Sequence, residues 1–335
     1  MRAAYYTQHG GPERLKVGDW PGDPLEHDGH VLVRVRAVAL NGFDPMMLAG
    51  STGLRVPMPM VPCGDFAGEV LTVPDHAHDK WQPGDRVCGY PMLPDLGMLG
   101  EVTPGAAREV LSVPAESLIA VPDNVTFAQA AALPVAYGTA LRMMYTRGAV
   151  KAGERVLILG ATGGVGVACV QLAKARGASV VACGRGPRSR RLLDIGADEI
   201  IDTAEHDVYL AVRERFGKPD YAGKGDGGFD VVVNYIGGDT WTAGLKLVRQ
   251  GGRVLVCGAT AGHDPQTDLR YVWSFEQNIV GSNGWTMDDQ RELLAMTAEG
   301  VLAPVFDEPR PIDDIAEVMS DLIERRIFGK AVLTL

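Results

Sequence analysis

The residues with the clearest chemical use are the glycines of GATGGVG at 160–166, which follow the apolar run RVLILG and open directly into a helical pattern. In an alignment to GxGxxG, Gly163 would let a pyrophosphate approach the backbone and Gly166 would let the helix pack closely on the strand. The unpaired amides at the helix start would meet the phosphate charge, whereas a tight turn without a ligand is the alternative. We predict dinucleotide binding by Ala161, Thr162, Gly163, Gly164, Val165 and Gly166.

The segment after the next strand pattern, CGRGPRSRR, is rich in arginine and contains no acid. An acidic residue here would accept hydrogen bonds from the adenosine ribose and repel a 2′-phosphate. Guanidinium groups donate to phosphate oxygens, so Arg185 and Arg188 predict NADPH as the cofactor. For Arg190 and Arg191, a solvated basic helix start is the better interpretation, because arginine is usually exposed.

The positions of these residues depend on the strands and helices around them. After Pro122 the strand patterns alternate with helical patterns near 165–175, 189–195, 208–216 and 240–248. Such alternation predicts βαβ crossovers and a parallel sheet covered on both faces, the doubly wound α/β (Rossmann) fold. Before Pro122, short strands broken by Gly and Pro predict a mainly β domain, to which the final GKAVLTL returns as a strand.

The predicted organisation is therefore a substrate domain at 1–122, completed by 304–335, and an NADPH-binding domain at 123–303. The run FEQNIVGS predicts an edge strand of the dinucleotide sheet. An unpaired edge is a liability that pairing across a two-fold axis removes, so we expect a homodimer.

Composition narrows the function classes. The formal net charge of −10 opposes binding to nucleic acid or to an anionic membrane surface. The N-terminal segment lacks an apolar signal core, and the five cysteines stand singly without a CxxC pair. We expect a cytoplasmic protein whose partner is a small-molecule substrate.

The order of these segments resembles the medium-chain dehydrogenase/reductase superfamily, and specifically its zinc-free quinone oxidoreductase and enoyl reductase branch. The resemblance covers essentially the whole chain and implies a GroES-like first domain. It is carried by ALNGFDPMMLAG, VPCGDFAGEV, WQPGDRVCGY, REVLSVPAESLIAVPDNVTFAQAAALPVAYGTA, the glycine turn, GADEIIDT, GGDTW, GGRVLVCGA and NIVGSNGW. The last motif is similar to crotonyl-CoA reductases.

The resemblance also bears on metal content. Alcohol dehydrogenases of this superfamily place a zinc-binding cysteine where this chain has Asn41, and a histidine where it has Gly64. Their structural zinc lobe needs four closely spaced cysteines, and the span 89–108 contains none. We therefore expect no metal.

The resemblance places five residues beside the nicotinamide: Asn41, Asp44, Tyr90, Tyr137 and Thr139. Asn41 would position ribose or substrate, Asp44 would orient its neighbours, and either tyrosine would stabilise an enolate or relay its proton, unless water does so. The alternative for each tyrosine is a core aromatic whose hydroxyl bonds locally. Further cofactor contacts are implied at Gly184, Ile236, Gly237, Cys257, Gly258, Ala259, Asn283 and Lys330.

Two departures from the branch limit these expectations. Met46 and Met47 stand where quinone oxidoreductases commonly carry a tyrosine, which favours a softer, more apolar pocket. Asp202 and Thr203 replace a common NY pair after the third strand, which leaves more of the adenosine phosphate to the arginines.

The resulting hypothesis is an NADPH-dependent, zinc-independent reductase that transfers hydride to an activated C=C bond (an enone, enal or enoyl thioester) or to a quinone. Without a Lewis acid, such acceptors suit the enzyme better than simple alcohols, because the charge moves onto an oxygen that needs only hydrogen-bond donors. The alternatives are a carbonyl/alcohol oxidoreductase and a non-catalytic NADPH-binding sensor or structural protein. The substrate and its stereochemistry stay open.

Overall fold

A computed structural model describes residues 1–21, 29–222 and 225–335. The chain divides into two compact units. The central unit is Tyr137–Thr286, and the flanking unit combines Met1–Ala136 with Met287–Leu335.

Among the described residues, the flanking unit begins with nine strands and two α-helices. They are β1 (Arg2–Tyr5), β2 (Lys16–Asp19), β3 (Val31–Leu40), α1 (Asp44–Ala49), β4 (Asp65–Thr72), β5 (Arg86–Gly89), β6 (Met92–Leu93), β7 (Gly97–Met98), β8 (Val110–Val113), β9 (Leu118–Ala120) and α2 (Phe127–Ala132). Helix α3 (Pro134–Leu141) contains the boundary between the units and continues as a π-helical segment, Arg142–Arg147.

The central unit contains β10 (Arg155–Leu159), α4 (Gly164–Ala175), β11 (Ser179–Gly184), α5 (Arg191–Asp194), β12 (Glu199–Asp202), α6 (Val208–Phe216), β13 (Phe229–Val233), α7 (Asp239–Leu247), β14 (Val248–Val256), α8 (Leu269–Ser274) and β15 (Asn278–Gly281). Its six strands are all parallel, in the order β12-β11-β10-β13-β14-β15. This is the doubly wound arrangement with its switch point between β10 and β13, so the predicted fold is confirmed. The predicted edge strand is β15.

The chain then returns to the flanking unit through α9 (Met287–Ala298), β16 (Arg310–Pro311), α10 (Ile315–Ile323) and β17 (Ala331–Thr334). The main sheet of this unit has the order β16-β17-β3-β4-β5-β9, and β8 also pairs with β3. Strand β17 pairs antiparallel with β3, as predicted for the last strand. Along β3, Val31, Val33 and Val35 point into the core, which gives the period of two expected for a sheet with one buried face.

The boundary between the units differs from the predicted one. Residues 123–136 and 287–303, which the sequence assigned to the dinucleotide domain, lie in the flanking unit. Helix α2 packs against β3 and β4, and the Gln290 side chain on α9 donates a 2.9 Å hydrogen bond to the Gly89 carbonyl. Helical periodicity predicts these helices, whereas their packing partners depend on long-range contacts.

In the part of the chain that the structure describes, every helix is too short or too polar to cross a lipid bilayer.

Candidate functional site

The glycine turn lies at the carboxyl end of β10, in the middle of the parallel sheet. A Cβ atom on Gly166 would come 2.5 Å from the Gly160 carbonyl oxygen and 2.6 Å from the Ala161 Cα, so only glycine is accommodated there. The same atom on Gly163 would have nothing closer than 4.0 Å. Gly166 therefore serves close helix–strand packing, and Gly163 leaves open space at the start of α4.

The left-handed residue of this turn is Gly160, with φ of +74°. The alignment to GxGxxG puts the first glycine position of the motif one residue later, at Ala161. The Tyr235 hydroxyl, following β13, donates a 2.6 Å hydrogen bond to the Gly160 carbonyl and also bonds the Gly166 backbone. Burial raises the Tyr235 pKa well above its usual range, so this hydroxyl keeps its proton. Tyr235 stabilises the turn. It was not predicted, because no feature of a single sequence marks a tyrosine as the partner of a distant turn.

The arginine-rich loop lies against the glycine turn. The Ala161 amide donates to the Cys183 carbonyl at 2.8 Å, and a Cβ on Gly184 would come 2.8 Å from the Thr162 Cγ2. Arg185 is exposed and Arg188 is half-buried in a short 3₁₀ helix, Pro187–Arg190. The fold thus brings the predicted pyrophosphate and 2′-phosphate residues together.

An aspartate from the neighbouring strand β12 also reaches this loop. Its position there was not predicted from the sequence. Asp202, at the end of β12, accepts hydrogen bonds from the Ala204 amide at 2.9 Å and the Gly186 amide at 2.7 Å. Those two bonds lower the Asp202 pKa, and Arg185 adds to the effect, so the carboxylate is charged at neutral pH. The absence of an acid therefore holds for the second strand only, because the third strand supplies one to the same loop.

The remaining cofactor residues predicted in the central unit follow the carboxyl ends of β13, β14 and β15. They are Ile236, Gly237, Cys257, Gly258, Ala259 and Asn283. Buried Asn234 orders the loop after β13, because its side-chain oxygen accepts from the Ile236 and Gly237 amides at 3.2 and 3.1 Å. The loop after β14 is attached to it through the Ala261 amide and the Ile236 carbonyl, at 2.7 Å. Ligands in open parallel sheets bind at this edge.

In the flanking unit, a buried polar cluster is built around Asp65 at the start of β4. Its Oδ2 accepts from the Asn41 Nδ2 at 2.9 Å and from the Lys330 Nζ at 3.0 Å, and its Oδ1 accepts from the Val135 amide at 3.1 Å. All three side chains are buried. A buried charge is tolerated when it is paired and hydrogen-bonded, and both conditions are met here.

The ammonium group of Lys330, a residue predicted to contact the cofactor, is engaged within the flanking unit. Its ammonium group donates to the Asp65 carboxylate, to the Leu40 carbonyl and to the Asn41 Oδ1. An ammonium group has three donors, so all of them are used within the flanking unit. Lys330 orients Asn41 and neutralises Asp65. Neither role can be predicted from its position in the sequence.

Asp44, at the start of α1, accepts from the Asn41 amide at 2.6 Å and from the Cys63 amide at 3.2 Å. Burial raises its pKa to about 7, although these two hydrogen bonds and Lys330 oppose the rise. The carboxyl group connects the residue after β3 with the loop before β4.

The three other predicted catalytic residues are divided between the units. Tyr90 is half-buried in the flanking unit, where its amide donates to the Ser117 carbonyl at 2.8 Å. In the central unit Thr139 is half-buried, whereas Tyr137 is fully buried on α3, as the alternative of a core aromatic requires. Their roles stay predictions.

The positions that hold zinc in related alcohol dehydrogenases do not suit zinc here. The Asn41 side chain is hydrogen-bonded to Asp65 and to the Lys330 ammonium. The positive charge of Lys330 therefore already stands where a metal ion would have to bind. Gly64 has no side chain, and a Cβ there would come 2.9 Å from the Leu99 carbonyl. Residues 1–21, 29–222 and 225–335 contain no group of three His, Cys, Asp or Glu side chains with metal-binding geometry.

Comparisons with known proteins show which families this chain resembles. Residues 27–123 match the alcohol dehydrogenase GroES-like domain, and residues 164–299 match the zinc-binding dehydrogenase family. Quinone oxidoreductase of Mus musculus is 28% identical over all of this chain and 98% of that protein. Crotonyl-CoA reductase of Streptomyces collinus is 28% identical over 79% of this chain and 66% of that protein. The crystal structure of an NAD-dependent alcohol dehydrogenase superposes with a TM-score of 0.89 at 31% identity, covering both chains completely.

Proposed function

Since the chain belongs to the medium-chain dehydrogenase/reductase superfamily, in its quinone oxidoreductase and enoyl reductase branch, we propose that it is an NADPH-dependent, zinc-independent reductase of activated C=C bonds or quinones. One observation carries the proposal. The glycine turn at the switch point of the sheet touches the loop that contains Arg185 and Arg188, so the predicted pyrophosphate and 2′-phosphate sites adjoin.

The chain's own residues account for binding. The amides at the start of α4 receive the pyrophosphate, because Gly163 leaves them open to a ligand. Arg185 and Arg188 neutralise the adenosine 2′-phosphate, while Asp202 holds the Gly186 amide and thereby shapes the loop. Bound NADPH supplies the hydride, that is, two electrons and one hydrogen.

The side chains that stand in place of the metal ligands determine which hydride acceptors suit the enzyme. Hydride addition to an electron-poor carbon leaves negative charge on the acceptor's oxygen, and hydrogen-bond donors stabilise it without a Lewis acid. Tyrosine hydroxyls and solvent provide such donors and the proton that completes the reduction. Lys330 and Asp65 keep the Asn41 side chain in one orientation within the flanking unit.

The test follows NADPH absorbance in metal-free protein mixed with enones, an enoyl thioester, quinones and ketones. We expect turnover of an enone, thioester or quinone, at least a tenfold preference for NADPH over NADH, and no loss after chelation. Turnover of ketones alone, or dependence on zinc, would contradict the proposal.

A second candidate is an alcohol/carbonyl oxidoreductase that uses NADH, because the superposable structure named above is an NAD-dependent alcohol dehydrogenase. The same assay separates the two, since this candidate reduces ketones and prefers NADH. Binding of NADPH with no turnover of any acceptor would instead favour the non-catalytic alternative.

The quaternary state belongs to the same proposal. Strand β15 lies at the sheet edge, and Ile279 on it is 46% exposed. Pairing of two such edges across a two-fold axis would cover both. We propose a homodimer acting in the cytoplasm on a small molecule.

A further inference from the structure

A cavity of about 630 Å³ lies in the central unit beside the carboxyl ends of β14 and β15. One wall is formed by residues 256–259 and 281–283, and these include four of the predicted cofactor residues. The other contains Arg142 and Arg147, from the π-helical segment after α3. Neither arginine belongs to the predicted dinucleotide contacts.

The charge of this cavity is one-sided. Two arginines line it and, within the part of the chain that the structure describes, no aspartate or glutamate does. The whole chain has a net charge of −10, so the cavity is positive against an acidic background. Local positive potential of this kind concentrates anionic ligands.

Arg147 and Ser282 leave hydrogen-bonding capacity for a ligand in the cavity. The Arg147 Nε donates to the Gly281 carbonyl at 2.9 Å, which anchors the guanidinium group, and in the described structure its two terminal nitrogens have no protein partner. The Ser282 hydroxyl is buried without a partner among those residues. A planar guanidinium group fixed at one edge offers its other edge to a carboxylate or phosphate.

The size of the cavity exceeds that of a small ion. Cavities of 300–1,000 Å³ typically hold whole organic ligands. The space therefore suits an anionic group that is part of a larger molecule, which enters beside the predicted cofactor residues Cys257, Gly258, Ala259 and Asn283.

We infer that this cavity is an oxyanion subsite in which Arg142 and Arg147 hold a phosphate or carboxylate group carried by the acceptor, remote from its reacting double bond. The inference rests on the proposed reductase function and narrows its substrates to anionic activated alkenes. It makes the two arginines determinants of substrate specificity.

The test uses matched acceptors at saturating NADPH. Crotonyl-coenzyme A is paired with the neutral crotonyl thioester of N-acetylcysteamine, and 6-oxo-7-octenoate, whose carboxylate is remote from the alkene, is paired with neutral 1-octen-3-one. We expect kcat/KM to favour the anionic member of one pair by about tenfold or more, since a charge-assisted bond to one arginine contributes on that scale. The preferred pair tells whether the anion is phosphate or carboxylate.

The double variant Arg142→Gln/Arg147→Gln should lose that preference, with neutral acceptors changed by less than about twofold. Arg213→Gln, an exposed arginine on α6 outside the cavity, is the control and should keep it. Equal losses for both members of a pair, a raised KM for NADPH, or a change in mass by light scattering would overturn the inference. Those outcomes would assign the arginines to the cofactor or to a subunit interface.

Calorimetric titration with free coenzyme A and with succinate keeps the inference separate from the proposed function. Binding by the wild type that weakens about tenfold or more in the double variant supports the subsite, even when no acceptor is reduced. Equal binding by both proteins, or no binding of either probe by the wild type, refutes it whatever the enzyme reduces.

Discussion

Asp44 is a carboxyl group held where burial opposes its charge. Two backbone amides and the nearby Lys330 favour ionisation, and burial outweighs them, so its pKa rises to about 7. Cys63, whose amide is one of the two donors, has a left-handed φ of +71°, which a residue with a side chain adopts only when its surroundings hold it. The NGFD segment, residues 41–44, is therefore a rigid support for its neighbours, and its carboxyl group is not an isolated functional group.

The raised pKa predicts a pH dependence of stability. A carboxyl whose folded pKa lies above its unfolded value stabilises the fold at low pH, and this contribution is lost as pH rises from about 4 to about 7. The free energy of unfolding of wild type minus that of Asp44→Asn should fall over this range by at most about 4 kcal/mol. Urea titrations at several pH values measure the difference, and a flat or rising difference would contradict it.

Two glycines of the turn should respond differently to the same substitution. Gly166→Ala places a Cβ 2.5 Å from a carbonyl oxygen and should destabilise the protein by roughly 2–4 kcal/mol. Gly163→Ala meets no atom closer than 4.0 Å, at an ordinary φ of −85°, and should keep stability while weakening NADPH binding about tenfold or more. Thermal unfolding and fluorescence titration separate the effects. Unchanged affinity in Gly163→Ala would remove its predicted role.

At the scale of elements, the loop after β11 is shaped by its neighbours on both sides. The glycine turn contacts Gly184, and β12 contributes the Asp202 carboxylate that accepts from the Gly186 amide. Asp202 accepts hydrogen bonds from two amides and keeps its negative charge, so a ligand in this loop meets the carboxylate together with the arginines. We expect the balance of these charges to set the preference between NADPH and NADH.

Arg185→Glu tests that balance. The change reverses a charge beside Asp202, so the KM for NADPH should rise about tenfold or more while that for NADH changes by less than about threefold. Arg190→Glu is the matched control, because that exposed arginine is interpreted as solvated. Steady-state kinetics with both cofactors at two salt concentrations make the measurement. An Arg185→Glu enzyme with undiminished NADPH affinity would argue against a 2′-phosphate site.

At the scale of the whole molecule, each unit has its own sheet and its own hydrophobic core. The central sheet ends in β15, whose outer edge is unpaired among the residues that the structure describes. An edge with an exposed isoleucine and no charge on the strand lacks the charged side chains that commonly oppose pairing. This edge is therefore the part of the surface where association is expected.

Ile279→Lys should convert a dimer into a monomer, because a charged side chain on an edge strand opposes strand pairing. Val301→Lys alters an equally exposed apolar residue in the flanking unit and should leave the mass unchanged. Light scattering over a concentration series gives the answer. A wild-type monomer, or a dimer that survives Ile279→Lys, would rule out this interface.

Local patterns were sufficient for much of the molecule. Alternation of apolar runs with helical periodicity predicted a parallel, doubly wound sheet, since parallel strands require crossovers, and the glycine spacing predicted where its first turn lies. The last strand and the edge strand were also predictable, because each is a short apolar run between turn residues.

Tertiary structure alone decided which distant side chains meet. Tyr235 braces Gly160 across the sheet, Asp202 enters a loop that follows another strand, and Lys330 pairs with Asp65 at a separation of 265 residues. Arg142 and Arg147 likewise reach the ends of β14 and β15 only in the folded chain. Hydrogen bonds and charge pairs depend on distances of about 3 Å between atoms, and no spacing along one sequence specifies such distances.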